Sequence, residues 1–234
     1  MIKLFKYLMW LIFPARCSVC GKVLNFGEYI CEECNLKIER IDKICTACGN
    51  DKNLCTCKRQ VFRFNSCIGA FNYGDNAMSA VKRFKFGNNL YIAEFLADEM
   101  SDKFQKHYNN IRFDAVTAVP MHPLKKFAKG YNQSEVIARK LCKNINLPYI
   151  KLLSKIRFNK TQHKQDRHLR FENIKGVFSA KLPYNIETVL LVDDIKSTGA
   201  TLDECTRELM FAGVKQVYCI TAILNGGGNG IEKT

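Results

Sequence analysis

The sequence predicts an α/β domain built on a parallel sheet, preceded by a small cysteine-rich module. Three observations carry that prediction. Eight of the twelve cysteines lie between positions 17 and 57, all in close pairs, while the other four are scattered among apolar neighbours. Beyond the cysteine-rich part, short β-branched runs alternate with stretches of helical period, the pattern of strands joined by helices. Toward the C-terminal end, the apolar run Val189 to Val192 leads into two carboxylates, a loop of small residues and the start of a helix. The fall in cysteine density near 58–62 sets the boundary between the two units, 1–60 and 61–234.

The elements follow in order. Residues 64–73 alternate as a strand and stop at Gly74. Residues 77–85 and 89–107 read as helices, the second with Ile92, Phe95, Leu96 and Met100 at helical spacing. A short strand over 114–119 ends at Pro120, and 135–145 is a helix with Asn132 or Ser134 as its cap. Residues 155–175 are polar, basic and aperiodic, which reads as a long loop. A buried strand over 188–192, a helix over 200–211 closed by Gly213, and a strand over 216–224 complete the domain. The glycines of 226–230 follow the last strand with no helix after them and read as a frayed tail. At the other end Leu4, Phe5, Leu8 and Ile12 share one face of a short amphipathic helix expected to dock on the protein. The apolar run 7–13 is too short to span a membrane, and Arg16 fits a signal-peptide cleavage site poorly. The expected location is the cytoplasm, where thiols stay reduced and paired cysteines hold metal.

Charge narrows the class of partner. The net charge is +14, and residues 112–175 hold fifteen Lys and Arg against four Asp and Glu, so they carry most of it. Such an excess suits a polyanion, although a basic surface also serves solubility alone.

The cysteine pairs are Cys17-x-x-Cys20, Cys31-x-x-Cys34, Cys45-x-x-Cys48 and Cys55-x-Cys57. A CxxC turn presents two thiolates on one side of a tight knuckle, and two knuckles complete a tetrahedral zinc site. Pairing neighbours gives one site from 17/20 with 31/34 and a second from 45/48 with 55/57, the latter with one shortened spacing. A segment this short and poor in large apolar side chains lacks a sufficient core of its own. Two zinc ions would supply folding energy on the order of 10 kcal/mol each. With four protein thiolates on each, the metal is structural. Cys67, Cys142, Cys205 and Cys219 read as small buried hydrophobes.

The segment Val189 to Thr201 is the most informative. Backbone N–H groups of a loop of Ser, Thr, Gly and Ala converge on a phosphate, helped by the positive end of the following helix. Two carboxylates just ahead of it suit the hydroxyls of a ribose on that phosphate, at the C-terminal end of a parallel strand where α/β sheets bind ligands. The segment resembles the phosphoribosyl-pyrophosphate signature of type I phosphoribosyltransferases. That resemblance implies that Asp193 and Asp194 hold the ribose 2′ and 3′ hydroxyls and that Ser197, Thr198, Gly199, Ala200 and Thr201 cradle the 5′-phosphate.

More of the chain narrows the likeness. Val119-Pro120-Met121-His122-Pro123 with Lys129-Gly130-Tyr131-Asn132-Gln133-Ser134-Glu135 resembles the ComF family, as do Phe71-Asn72-Tyr73 with Lys85-Phe86-Gly87. Gln162, Arg167, Arg170, Asn173, Gly176 and Phe178 fit that family's basic loop, and the cysteine-rich start matches as well. The likeness departs where Lys125, Lys126 and Lys129 stand in place of arginines, keeping charge but losing bidentate phosphate geometry. It implies a part in natural transformation, with internalised single-stranded DNA handled on the cytoplasmic side beside other DNA-uptake proteins. The other reading is an active phosphoribosyltransferase, similar to the amidophosphoribosyltransferases, with an unidentified acceptor and Mg²⁺ carried by the pyrophosphate substrate.

The surface expected to meet DNA or pyrophosphate comprises Lys125, Lys126 and Lys129 after one strand, and Arg157, Lys160, Lys164, Arg167 and Arg170 in the long loop. Phe158 and Phe171 bracket that loop and offer faces for bases to stack on, or anchor it to the core. His122 faces the ligand crevice or packs its own turn. His163 and His168 read as anion contacts or solvated side chains.

Overall fold

The computed structural model describes residues 10, 14–45, 52, 55, 62–87, 89–158 and 171–225. Four parallel strands form the main sheet: β1 (Ser66–Asn72), β2 (Ala115–Ala118), β5 (Thr188–Lys196) and β6 (Gln216–Leu224), in the order β1-β6-β5-β2. The helices are α1 (Glu32–Lys37), α2 (Asp75–Phe86), α3 (Ile92–His107), α4 (Pro123–Lys129), α5 (Gln133–Ile145) and α6 (Ala200–Phe211). A short antiparallel pair, β3 (Leu153–Lys155) and β4 (Phe178–Ala180), stands beside the sheet.

Val189 to Val192 are fully buried and form the sheet's centre, as a parallel strand covered on both faces requires. The apolar stripe of α3, with Phe95, Leu96 and Met100, faces the core, and Phe95 stacks on Phe71 of β1 at 5.7 Å between ring centroids. Helix α5 packs beside α3 and onto β2 and β5, while α6 packs on β4, β5 and β6.

Both edges of the sheet are covered, which removes the open pairing surface that edge strands present. On the β2 side, Val116 bridges Tyr149 in parallel. On the β1 side the cover comes from the cysteine-rich segment: Arg40 bridges Phe71, the Ile41 N–H donates to the Ala70 carbonyl, and the Asn72 N–H donates to the Glu39 carbonyl. Side chains extend the joint. Arg40 donates to both Glu99 oxygens on α3, the Tyr29 hydroxyl donates to Glu94 at 2.8 Å, and buried Lys103 donates to the Ile41 carbonyl.

Four expectations change. Strand β5 runs past Val192 to Lys196, because β6 keeps pairing with it through Leu224, so Asp193 and Asp194 lie within the strand rather than after it. Helix α4 was not expected; none of its residues is buried, so it has no apolar period to read. The described start of the expected loop at 155 belongs to β3, whose three residues are too few to show alternation. Asn132 occupies the cap position of α5, but its side chain donates instead to the Val119 carbonyl, and the Ser134 hydroxyl is used elsewhere. Cys67, Cys142, Cys205 and Cys219 are buried as expected, and burial pushes their thiols above the ordinary range. Of the expected N-terminal helix, Trp10 is described, and its indole N–H donates to the Leu24 carbonyl. The Gly226–Gly230 tail, His163 and His168 lie outside the described residues.

Candidate functional site

The site grows from the end of β5. Asp193 is almost fully buried, and its Oδ1 accepts from the Ser134 hydroxyl at 2.8 Å and from the Asp194 N–H at 2.9 Å. Burial, then the neighbouring Asp194 charge, pushes its carboxyl up to about 7 against those two donors. Asp194 pairs with Lys85 at 2.7 Å. Two helix ends therefore clamp the acid pair, the last turn of α2 through Lys85 and the first turn of α5 through Ser134. The Tyr131 hydroxyl ties those ends together by donating to the Phe84 carbonyl.

Ser197, Thr198 and Gly199 form the turn into α6. Gly199 has φ 85° at the N-cap, and a Cβ there would lie 2.7 Å from the Phe62 ring, so only glycine fits. Thr198 Oγ1 accepts from the Ala200 N–H at 3.3 Å, and Thr201 is half-buried in the first turn. Asp203, also in the first turn, accepts from the Arg63 N–H at 2.6 Å and from its guanidinium. A small-residue turn with a left-handed glycine, opening a twelve-residue helix beside two carboxylates, is a geometry that takes a phosphate and the hydroxyls next to it.

The basic residues divide. A groove of about 820 Å³ is bordered by Lys85, Phe86, Leu90, Lys125, Lys129 and Tyr131. Lys85 thus joins it directly to Asp194. Lys129 is held below the ordinary lysine range by desolvation and then by the Lys85 charge. Lys126 faces a second groove of about 470 Å³ with Lys151 and Phe127, and pairs with Glu135 at 2.8 Å. Arg157 is exposed after β3, and Lys160, Lys164, Arg167 and Arg170 lie outside the described residues. His122 caps α4, its Nδ1 accepting from the Leu124 N–H at 3.3 Å, and its ring meets Phe158 edge-on at 5.2 Å. Phe171 lines a separate cavity of about 200 Å³ against α6 with Arg63, Lys175 and Arg207, apart from the grooves around α4.

Sequence reasoning gives Ser134 only a helix-capping role and gives Lys85 and Phe127 none. Ser134 and Lys85 stand inside the motifs that carry the family likeness, which is the signal that marks them. Nothing marks Phe127.

In the cysteine-rich part the Sγ atoms of Cys17, Cys20, Cys31 and Cys34 all lie within 4.8 Å of one another, and Cys20 and Cys31 are 3.8 Å apart. Sulfurs placed tetrahedrally about a zinc ion at about 2.3 Å stand about 3.8 Å from each other, so the donor set fits zinc. Burial works against ionising Cys17, but the backbone N–H groups of Cys31, Cys20 and Val19 outweigh it and bring this thiol to about 6. Gly21, at φ 82°, closes the first knuckle directly against the Arg83 guanidinium of α2. Cys45 and Cys55 of the second group are half-buried, while Cys48 and Cys57 lie outside the described residues. Among the described residues no helix is long and apolar enough to cross a membrane.

Two families of known domains match parts of the chain. The double zinc ribbon domain family matches residues 8–66, and the phosphoribosyl transferase domain family matches residues 128–232. Competence protein F of Haemophilus influenzae is 24% identical over 218 residues, 88% of this chain and 95% of that one. DNA utilization protein YhgH of Escherichia coli K12 is 24% identical over 224 residues, 90% and 98% of the two chains. Competence protein ComFC of Streptococcus pneumoniae is also 24% identical, over 89% of this chain and 99% of its own. Two domain families in this order, with relatives similar over nearly the whole chain, support the ComF likeness.

Proposed function

We propose that this chain is a cytoplasmic DNA-handling protein of natural transformation, with a phosphoribose site at the end of β5 and single-stranded DNA on the basic stretch 112–175. Two structural zinc ions hold its N-terminal ribbon. The names of the relatives, competence protein and DNA utilization protein, support the role. One observation carries the assignment of sites: the buried acid pair and the Ser197–Thr201 turn open beside a lysine-lined groove, and Lys85 belongs to both. A ribose 5-phosphate group would place its hydroxyls at Asp193 and Asp194 and its phosphate on the turn. The polyanion would run outward over Lys125 and Lys129, on to Arg157 and to Lys160, Lys164, Arg167 and Arg170.

Calorimetry with ribose 5-phosphate or phosphoribosyl pyrophosphate tests the first site. Wild type is expected to bind, and D193A/D194A is expected to lose binding while keeping its fold. Equal affinity in the two proteins would refute the assignment.

The match of the phosphoribosyl transferase domain family also favours a second reading, retained turnover. There an acceptor would form a bond to C1 of the ribose while the C1–O bond to pyrophosphate breaks. Mg²⁺ would enter on the pyrophosphate, and the basic residues would stabilise the departing charge. Pyrophosphate release from phosphoribosyl pyrophosphate, with and without single-stranded DNA, separates the two readings.

A further inference from the structure

Among the described helices, α4 alone buries none of its residues. Seven residues do not make a stable helix in water by themselves. This one is fixed from its ends: Pro123 opens it, His122 caps it, Gly130 closes it at φ 85°, and Lys126 ties it to Glu135. The result is a ridge that displays Leu124 at 68% and Phe127 at 91% exposure. Met121 and Gly130 border both grooves, so the ridge stands between them. Each groove combines lysines with an exposed aromatic ring. On one side Phe86 is 84% exposed, with the Lys129 Nζ 5.5 Å from its ring centroid, and on the other Phe127 lies with Lys126 and Lys151. Phe158 is only 51% exposed and packs against His122 at 5.2 Å, so the most exposed rings at the grooves are Phe86 and Phe127.

We propose that α4 is the docking ridge for single-stranded nucleic acid, with bases stacking on Phe86 and Phe127 and phosphates held by Lys125, Lys126, Lys129 and Lys151. The inference rests on the nucleic-acid reading above and adds the element and the rings that carry it. Charge complementarity selects the occupant. Lysines beside flat apolar faces match a polyanion whose bases are uncovered, whereas a duplex keeps its base faces stacked inside. The arrangement binds without sequence preference, because every base has a face to stack.

Fluorescence anisotropy with labelled oligothymidylate and an abasic oligomer of the same length tests the ridge on the full-length protein. Wild type is expected to prefer the thymidylate by about tenfold or more, the effect of stacking alone. F86A/F127A, which alters only exposed rings, is expected to bind both oligomers equally, with the salt dependence of wild type, since phosphate contacts set that slope. If wild type binds neither oligomer, the nucleic-acid reading fails and the ridge with it. If wild type prefers thymidylate and F86A/F127A keeps that preference, the DNA reading stands and the ridge is refuted. If the variant instead turns a dimer into a monomer in sedimentation with thymidylate affinity unchanged, the rings form an interface between copies, and the proposal is overturned.

Discussion

Asp193→Asn separates the charge of the site from its shape. The Asp193 carboxyl is raised from the ordinary 3.8 to about 7, chiefly by burial. A folded-state value above the unfolded one means that the native protein keeps a proton which the unfolded chain has released between about pH 4 and pH 7. This group therefore disfavours folding progressively as pH rises through that window, and the full deficit is present above it. From 3.8 to about 7 the deficit is at most about 4 kcal/mol. Relaxation around a buried, interacting pair reduces it, so about 2 kcal/mol is expected in measurement. Asparagine keeps the volume and the acceptor for the Ser134 hydroxyl, and it does not titrate. Urea unfolding of both proteins at pH 5, 6, 7 and 8 should show D193N gaining on wild type as pH rises, with other titrating groups cancelling in the difference. At pH 8, where the native carboxyl is ionised, the variant should also bind ribose 5-phosphate about tenfold more weakly or worse, because a charged acceptor has been lost. A stability difference that does not change with pH would refute the reasoning, since it would mean that the native carboxyl is ionised throughout.

Metal analysis of the reduced protein is expected to find two zinc equivalents; a value near one would remove the site of Cys45, Cys48, Cys55 and Cys57, and a metal-free folded protein would remove both. Gly199→Ala places a side chain at φ 85° and 2.7 Å from the Phe62 ring. It should lower stability by about 1–3 kcal/mol and weaken ribose 5-phosphate binding, read by urea unfolding and calorimetry. Wild-type stability and affinity in that variant would mean that the turn adjusts freely and is not a formed phosphate cradle.

What was legible in the sequence was whatever carries a local period or a local spacing. The four sheet strands follow from short apolar, β-branched runs bounded by turn residues, and α2, α3, α5 and α6 from helical stripes that each bury one face against the core. The four-cysteine group is legible because two short turns place their thiols together, and the turn at 197–201 because its small residues and glycine suit a tight turn into a helix. Helix α4 is different: it buries nothing, so no hydrophobic pattern records it. The contacts of Lys85 with Asp194 and Ser134 with Asp193 are tertiary, made by helix ends that meet β5 only after the sheet has formed. The continuation of β5 through the acid pair is likewise set by its neighbour β6, not by its own composition.

The cysteine-rich module has a reach beyond its own fold. Its residues 39–41 complete the edge of β1, and Gly21 of the first knuckle sits directly against Arg83. Two positions along α2 from Arg83 is Lys85, the partner of Asp194. One helix therefore touches the first cysteine knuckle and the acid pair within a single turn. A glycine at 21 suits the left-handed backbone there, at φ 82°. Chelation of a metal held by Cys17, Cys20, Cys31 and Cys34 would free the knuckle that packs against Arg83, two residues from Lys85 on α2. The cysteine-rich module therefore packs against the helix that borders both the acid pair and the basic groove.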